Sequence, residues 1–300
     1  MILIISKNND RSTIEVMKWL SKMDKKYILV QETEIFEIKI IRKRIYVKSQ
    51  SNTFFPDDIS SVWYRRGEIR FKRNQYNNTS INIHMNEAQH WLEDYIIKTL
   101  ESKKNINKQS NSHVNKLIVL EEAQKAGLDV PLYFLATDTD EVILNKTITK
   151  SITGNVIIES LSKNTDGIMY THVINDYEQE NFFISFFQEK IEKDFEVRSF
   201  YLNGKIWSMA IFSQNDEQTK TDFRKYNLEK PNRNVRYNLP REIEIKICQL
   251  MQSLDLNCGS LDFMKSSDKY YFLEVNPVGQ FGNISADCNY LLEKEIAEYL

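Results

Sequence analysis

The sequence is poor in the residues from which compact metal and nucleophile motifs are built. It has three cysteines, Cys248, Cys258 and Cys288, odd in number and scattered. They form no CxxC pair, so neither a zinc site nor a disulfide framework is indicated, and they read as small buried hydrophobes in a reducing cytoplasm. The four histidines, His84, His90, His113 and His172, show no ligand spacing; His84 and His90 are six apart, which suits neither face of a helix. Eight glycines occur in all, and none form a GxGxxG pattern after the first apolar segment, which disfavours dinucleotide binding there. No apolar run approaches the ~20 residues of a membrane span. The apolar start, Met1 to Ile5, lacks a basic flank and a small-residue cleavage site, and so reads as a strand and not a signal peptide. A net charge of −2 gives no field of one sign to attract nucleic acid or a membrane surface. Internal repeats and low-complexity tracts are also absent.

A hydrophobic content of 41%, with 12% aromatics, over 300 residues is enough for a sizeable core and suggests about two domains. The pattern is of mixed α/β type. Residues 1–5 read as a strand, and Asp10 or Ser12 caps an amphipathic helix carrying Ile14, Met17, Trp19 and Leu20, with Glu15 completing a capping box from Ser12. Strands follow at 27–30 and 61–66, with a half-exposed hairpin at 35–47 between them. This opening is Rossmann-like. A helix over 86–100 places Trp91, Tyr95, Ile96 and Leu100 on its apolar side, and the polar loop 103–112 marks the first domain boundary.

A helix over 115–126 stops at Gly127, followed by Val130-Pro131 and a series of strands at 131–137, 147–152, 156–161 and 168–174. Phe182 to Gln188 is an aromatic strand or hinge. Residues 197–202 and 205–212 form a hairpin about Asn203-Gly204, a strong two-residue turn signal. Residues 214–236 are polar, 241–254 a helix, and 286–300 a closing helix.

Between the last two helices lies the most telling stretch, Leu261-Asp262-Phe263-Met264 and then Tyr270-Tyr271-Phe272-Leu273-Glu274-Val275-Asn276-Pro277. Two apolar strands carry hard oxygen donors of the kind Mg²⁺ takes alongside nucleotide phosphates. Glu274 and Asn276 share a strand face by the period of two. Leu261, Phe263, Tyr271, Leu273 and Val275 imply a packed hairpin, in which a carboxylate is costly unless paired or bound to metal. The alternative is a pair of solvated strand-end acids.

Other residues could carry chemistry, each with an ordinary alternative. Lys116 begins a helix and is either solvated or directed at a ligand. Lys150 ends a strand four residues before Gly154, where a lysine and backbone N–H groups can meet phosphate. Gln188-Glu189-Lys190-Ile191, after the aromatic run, either clamps a planar ring or merely brings a core strand to the surface. Arg198 binds phosphate through its planar fork or pairs with Glu196 two residues before it. Asp222-Phe223-Arg224 repeats that spacing in a polar loop, where a surface ion pair is the default.

Taken in order, Val62 to Arg66, Asn115-Lys116, Gly127 to Pro131, Lys150, Phe187-Gln188-Glu189, Glu196 to Phe200 with Asn203-Gly204, Ser213-Gln214, Thr221 to Arg224, Leu261-Asp262-Phe263 and Glu274 to Pro277 resemble the ATP-grasp ligases over nearly the whole chain. The pattern looks closest to the ATP-grasp peptide maturases of the graspetide (omega-ester or omega-amide) systems, of the grasp-with-spasm type. The resemblance implies an N-terminal Rossmann-like pre-ATP-grasp domain (1–105), a central α/β subdomain (113–187) and a C-terminal ATP-grasp subdomain (188–300). It implies ATP and Mg²⁺ as cofactors. Lys116 and Lys150 would hold phosphates, with Lys146 as a substitute for Lys150; Gln188, Glu189, Lys190 and Ile191 would line the adenine pocket; Glu196 and Asn276 would contact the nucleotide. Arg198 would neutralise the γ-phosphate or acyl phosphate. Asp262, Glu274 and Asn276 would hold Mg²⁺, and Asp222 with Arg224 would match the DxR element that handles an acidic side chain of the peptide. The chain departs from the wider superfamily in carrying one glycine in Ser151 to Asn155 where many members have several.

The implied partner is a ribosomally made precursor peptide, a leader plus a core rich in Thr, Ser, Lys, Glu and Asp. No nucleic acid or membrane is implied, and the enzyme would be a cytoplasmic homodimer. The alternatives are a RimK-like or glutathione-synthetase-like ligase joining a small amino acid to a carboxylate, and a non-catalytic ATP-binding regulatory module.

Overall fold

The computed structural model describes residues 1–152, 157–162, 165–168, 170–176, 181–214 and 232–300. Two compact units divide the chain. The first holds Met1–Ser112 together with Leu291–Leu300, and the second His113–Tyr290.

The first unit is built on a parallel sheet. Strands β1 (Ile2–Ser6), β2 (Tyr27–Gln31), β6 (Ser61–Tyr64) and β8 (Lys104–Ile106) lie in the order β2-β1-β6-β8. All three pairings are parallel. Every residue of β1 is buried, as expected of a parallel strand covered on both faces. Leu3, Ile5, Val62 and Tyr64 join one core with Ile96 and Leu100 of helix α2 (Thr79–Glu101). Helix α1 (Arg11–Lys22) packs with the C-terminal helix α6 (Leu292–Tyr299). A second small sheet, β5-β4-β3-β7, comprises β3 (Ile35–Ile41), β4 (Arg44–Lys48), β5 (Thr53–Phe54) and β7 (Arg70–Phe71), and its Phe36, Val47 and Phe54 enter the same core.

Several expectations need correction here. The cap of α1 is Asp10, whose side chain accepts from Ser12 N; Glu15 pairs instead with Lys18. Helix α2 starts seven residues before position 86, and only Ile96 and Leu100 of its apolar residues are buried. Trp91 and Tyr95 are 62% and 56% exposed, so the apolar side of this helix is wider than its buried stripe. The polar segment 103–112 contains β8, the fourth strand of the parallel sheet. Three residues are too few for a period of two to show.

In the second unit, helix α3 (Lys116–Lys125) is capped by Asn115, which accepts from Leu117 N and Ile118 N. An antiparallel sheet follows in the order β13-β10-β14-β9, from β9 (Tyr133–Asp138), β10 (Thr147–Thr149), β13 (His172–Val173) and β14 (Asn181–Glu189). Stacked rings at Tyr133–Phe186 and Phe134–Phe187 join β9 to β14. Strands β11 (Ile157–Ser162) and β12 (Thr165–Ile168) pair as a separate ribbon.

The remaining sheet is antiparallel, in the order β17-β16-β15-β18-β19: β15 (Phe195–Leu202), β16 (Lys205–Phe212), β17 (Arg233–Tyr237), β18 (Cys258–Ser266) and β19 (Lys269–Asn276). Asn203 and Gly204 both have positive φ, +45° and +88°, as the tight turn between β15 and β16 requires. Helices α3 and α4 (Arg241–Ser253) cover one face of this sheet, sharing a core with Val197, Leu261, Phe263, Phe272 and Val275. The single closing helix expected over 286–300 is two helices, α5 (Gly282–Cys288) and α6, separated by left-handed residues at Asn289 and Leu291.

The first unit is pinned at the end of its sheet by charge. Arg65 is 2% exposed, and its Nε donates to Asp10 Oδ2 at 2.9 Å. Thr13 Oγ1 donates to the same oxygen at 3.0 Å. Burial pushes the Asp10 carboxyl up, but the Arg65 charge, the Thr13 and Arg65 hydrogen bonds and the Arg66 charge outweigh it and hold the group below the usual carboxylate range. A depressed carboxyl contributes stability above its unfolded pKa, and that contribution is lost as pH falls through the folded value. Asp10→Asn keeps a good N-cap but removes the carboxylate that pairs with the buried Arg65, so we expect a loss of about 3 kcal/mol at neutral pH. Thermal denaturation of both proteins across an acid series checks this. The gap in melting temperature narrows as pH drops below the carboxylate range, and a gap that stays constant with pH contradicts the pairing.

Candidate functional site

The face of the five-stranded sheet away from α3 and α4 collects the charged side chains. Across β15, β18 and β19, Arg198 stands opposite Asp262, and Asp262 opposite Glu274. Directly opposed residues share a face with Cβ atoms ~4.5–5.5 Å apart, so the three form one row. Arg198 Nη1 lies 3.6 Å from Asp262 Oδ1, both side chains largely buried. Asn276, opposite Ser260, sits one step further along the same face as Glu274.

This row exists because β19 is bulged. Asp262 opposes Glu274, but Phe263 opposes Phe272, so Leu273 is an extra residue. In a regular strand Phe272 and Glu274 would share a face. The bulge sends Phe272 into the α3/α4 core, fully buried, and leaves Glu274 beside Asp262 on the opposite face. The expected packing of Tyr271 and Leu273 is thereby corrected: Tyr270, Phe272 and Val275 are the buried residues of β19, and Tyr271 and Leu273 are half-buried.

Lys116 reaches the row from the first position of α3. Its Nζ lies 3.1 Å from Glu274 Oε2 and donates to Ser151 O at 2.8 Å. The cap at Asn115 fixes where the helix begins, and so where this ammonium stands. Lys150 follows β10 directly, its Nζ 5.8 Å from the centre of the Phe186 ring. Lys146 is exposed, and its carbonyl accepts from Lys190 N at 2.8 Å.

Beside the row is a cavity of about 160 Å³. Gln188, Glu189, Lys190 and Ile191 line it, with Ile148, Met264 and the bulge residue Leu273 supplying apolar surface. Gln188 is 1% exposed, and its Nε2 has no hydrogen-bond partner. A buried donor left unpaired is costly, and a ring nitrogen or carbonyl in the cavity would satisfy it. Glu189 Oε1 accepts from Leu132 N at 2.8 Å, and Lys190 Nζ pairs with Glu192 at 2.8 Å.

Glu196 is buried at the cavity's edge, ion-paired to Lys193, with Ser213 Oγ donating to its other oxygen at 3.4 Å. Lys193 also lines the cavity and was not singled out from the sequence. The available signal was its three-residue spacing to Glu196, weak because lysine is seldom buried. Asp222, Arg224 and Gly154 lie outside the described residues.

The donor set suits Mg²⁺. Asp262, Glu274 and Asn276 offer two carboxylates and an amide oxygen, and Mg²⁺ is commonly held by one or two carboxylates together with substrate phosphates. Among the described residues no three His, Cys, Asp or Glu side chains gather as a metal cluster. Arg198 and Lys116 bring positive charge to the same place.

Comparison of the sequence with family models and with curated proteins finds no match. Solved structures do match along the full chain. A RiPP-associated ATP-grasp ligase of Chryseobacterium gregarium, in complex with ADP and a leader and core peptide, is 23% identical with a TM-score of 0.78, over 99% of this chain and 94% of that one. The macrocyclase MdnC of Microcystis aeruginosa MRC, bound with precursor peptide MdnA, is 24% identical with a TM-score of 0.76, over 100% and 99%. The ATP-grasp ligase PsnB, complexed with minimal precursor, Mg and ADP, is 14% identical with a TM-score of 0.69, over 99% and 95%. The chain has the ATP-grasp fold. In ATP-grasp terms the five-stranded sheet carries the charged row, and β14 leads into the cavity through Gln188.

The bulge makes a contrast between adjacent residues. Phe272→Ala removes a fully buried ring and should destabilise the protein by about 3–5 kcal/mol, whereas Leu273→Ala should cost well under half of that. Denaturant unfolding of the two variants checks this; equal losses would mean that the two side chains share the core.

Proposed function

We propose that this protein is an ATP-dependent, ADP-forming ligase that phosphorylates Asp or Glu side chains of a ribosomally made precursor peptide and joins them to Ser/Thr hydroxyls or Lys amines as ester or amide rings. The observation that carries the reading is the row Arg198–Asp262–Glu274, met by Lys116 and adjoining a cavity with an unsatisfied Gln188 amide, in a chain that follows peptide-bound ATP-grasp ligases end to end.

We assign the roles on the resemblance to the ATP-grasp ligases. Gln188 to Ile191 receive the adenine, with the orphaned Gln188 Nε2 as a donor to the ring. Asp262, Glu274 and Asn276 hold Mg²⁺, which when bound neutralises phosphate charge. Lys116 sits against Glu274 and can turn to a phosphate oxygen. Arg198, poised at Asp262, offers its guanidinium fork to the γ-phosphate while it is transferred and to the acyl phosphate afterwards. Phosphoryl transfer asks little covalent chemistry of a protein, so positioning and electrostatic stabilisation supply most of the acceleration. The peptide's hydroxyl or amine then displaces phosphate from the acyl carbon, and no enzyme nucleophile is required. Lys150, or Lys146 in its place, covers the phosphates. Asp222 and Arg224 are assigned to the acidic side chain of the peptide, on the resemblance of the DxR segment.

On the same reading, residues 1–105 act as an N-terminal domain, 113–187 as a central subdomain and 188–300 as a C-terminal subdomain, and the enzyme works as a homodimer in the cytoplasm. No helix among the described residues is long and apolar enough to cross a membrane.

Asp262→Ala and Glu274→Ala are expected to abolish ADP release in the presence of precursor peptide. Mass spectrometry of the peptide should show one water lost per ring with the wild type and none with either variant; undiminished ring formation would sink the metal assignment. Arg224→Ala is expected to spare nucleotide affinity and lower turnover. If nucleotide affinity collapsed while peptide affinity held, that segment would belong to the nucleotide site.

A further inference from the structure

The first unit has a feature that the nucleotide chemistry does not use. Its parallel sheet runs β2-β1-β6-β8, so the chain leaves β1 toward β2 on one side and reaches β6 on the other. The carboxyl ends of β1 and β6 thus flank a topological switch point, where open α/β sheets place their ligands. Two consecutive arginines, Arg65 and Arg66, follow β6 at this point.

The two arginines differ in their surroundings. Arg65 is committed to Asp10, as described above. Arg66 is half-buried, its Nε shielded from water and without a hydrogen-bond partner. Among the described residues no ion pair or side-chain hydrogen bond holds it. The acids around it are already engaged: Asp10 by Arg65, Glu32 by Lys7 at 3.4 Å and Glu68 by Arg70 at 3.1 Å. Asp10 feels the Arg66 charge but gives its hydrogen-bonding capacity to Arg65 and Thr13.

The backbone that carries Arg66 is fixed on both sides. Arg65 N and Arg66 N both donate to Ile5 O, at 3.0 and 3.1 Å. On the other side Gly67 turns the chain with φ +79°, and a Cβ there would stand 3.1 Å from Glu32 Cβ. Only glycine takes that conformation and that approach without strain. A partly desolvated, unpaired arginine on a fixed backbone is a costly arrangement for stability and a good one for receiving an anion.

We propose that Arg66 is a recognition residue for a carboxylate of the acidic peptide substrate, bound at the switch point of the first unit. This rests on the peptide-ligase reading for the identity of the carboxylate's owner. A side-chain carboxylate matches the fork bidentately and would satisfy Nε, whereas a carboxamide can accept but not balance the charge.

The test is a binding measurement without nucleotide. Two labelled synthetic peptides are used, one rich in Thr and Glu and one with every Glu replaced by Gln. Wild type should prefer the Glu peptide by about tenfold or more, from a charge-assisted hydrogen bond. Arg66→Ala should lose that preference, and Arg66→Lys, which keeps the charge without the fork, should recover only part of it. On the wild type, the Arg66 Nε–H resonance, assigned by its absence from Arg66→Lys, should move with the Glu peptide and stay with the Gln peptide, which keeps the test independent of how well Arg66→Ala folds. Absence of the preference in wild type, its retention in Arg66→Ala, or a resonance that moves with ADP and not with the Glu peptide would overturn the proposal. ADP formation measured separately distinguishes the two readings. An Arg66-dependent preference without turnover would leave the site standing and the ligase reading in default; peptide-dependent turnover with no Arg66 preference would do the reverse.

Discussion

The bulge at Leu273 is the constraint on which the charged face of the five-stranded sheet depends. A strand that must bury Phe272 and Val275 in one core, three positions apart, cannot keep a period of two. The extra residue resolves the conflict, and its consequence is chemical. Glu274 is left beside Asp262, Asp262 beside Arg198, and Leu273 itself in the wall of the neighbouring cavity. One local irregularity therefore serves the core, the acidic row and the apolar surface of the pocket together, which fits the concentration of bulges next to functional sites.

Around that row the rest of the second unit supplies fixed positions. The Asn115 cap sets the start of α3 and so the reach of Lys116 to Glu274. The buried Lys193–Glu196 pair closes the edge of the cavity. Such a pair is a weak source of stability, because desolvation offsets much of its attraction.

Much of the fold is legible in the sequence where one signal acts alone. Asn203-Gly204 marks its hairpin because Asn and Gly readily take the two successive positive φ values that the turn needs. Asn115 and Gly127 bracket α3 by capping chemistry. Reading fails where two demands compete or where the segment is short. Tyr271 and Leu273 alternate as core residues should, yet the bulge reverses them. Lys104–Ile106 is a strand because the parallel sheet has an edge to fill, and its polar sequence does not show it. Trp91 and Tyr95 look like core residues of α2 and are exposed, since that helix buries only its last turns. For the site, the acidic and basic residues stand out individually, but the row across β15, β18 and β19 is a matter of register, which a single strand's pattern does not carry.

The central claim is that the register of β18 and β19 makes Asp262 and Glu274 a joint metal-nucleotide ligand set. Electron paramagnetic resonance with Mn²⁺ in place of Mg²⁺ tests it most directly. Adding ADP to the wild-type protein should deplete the free Mn²⁺ signal beyond what ADP alone achieves. Asp262→Asn and Glu274→Gln, which keep the size of each side chain and remove its charge, should each abolish that excess. Undiminished Mn²⁺–ADP binding in either folded variant would contradict the account.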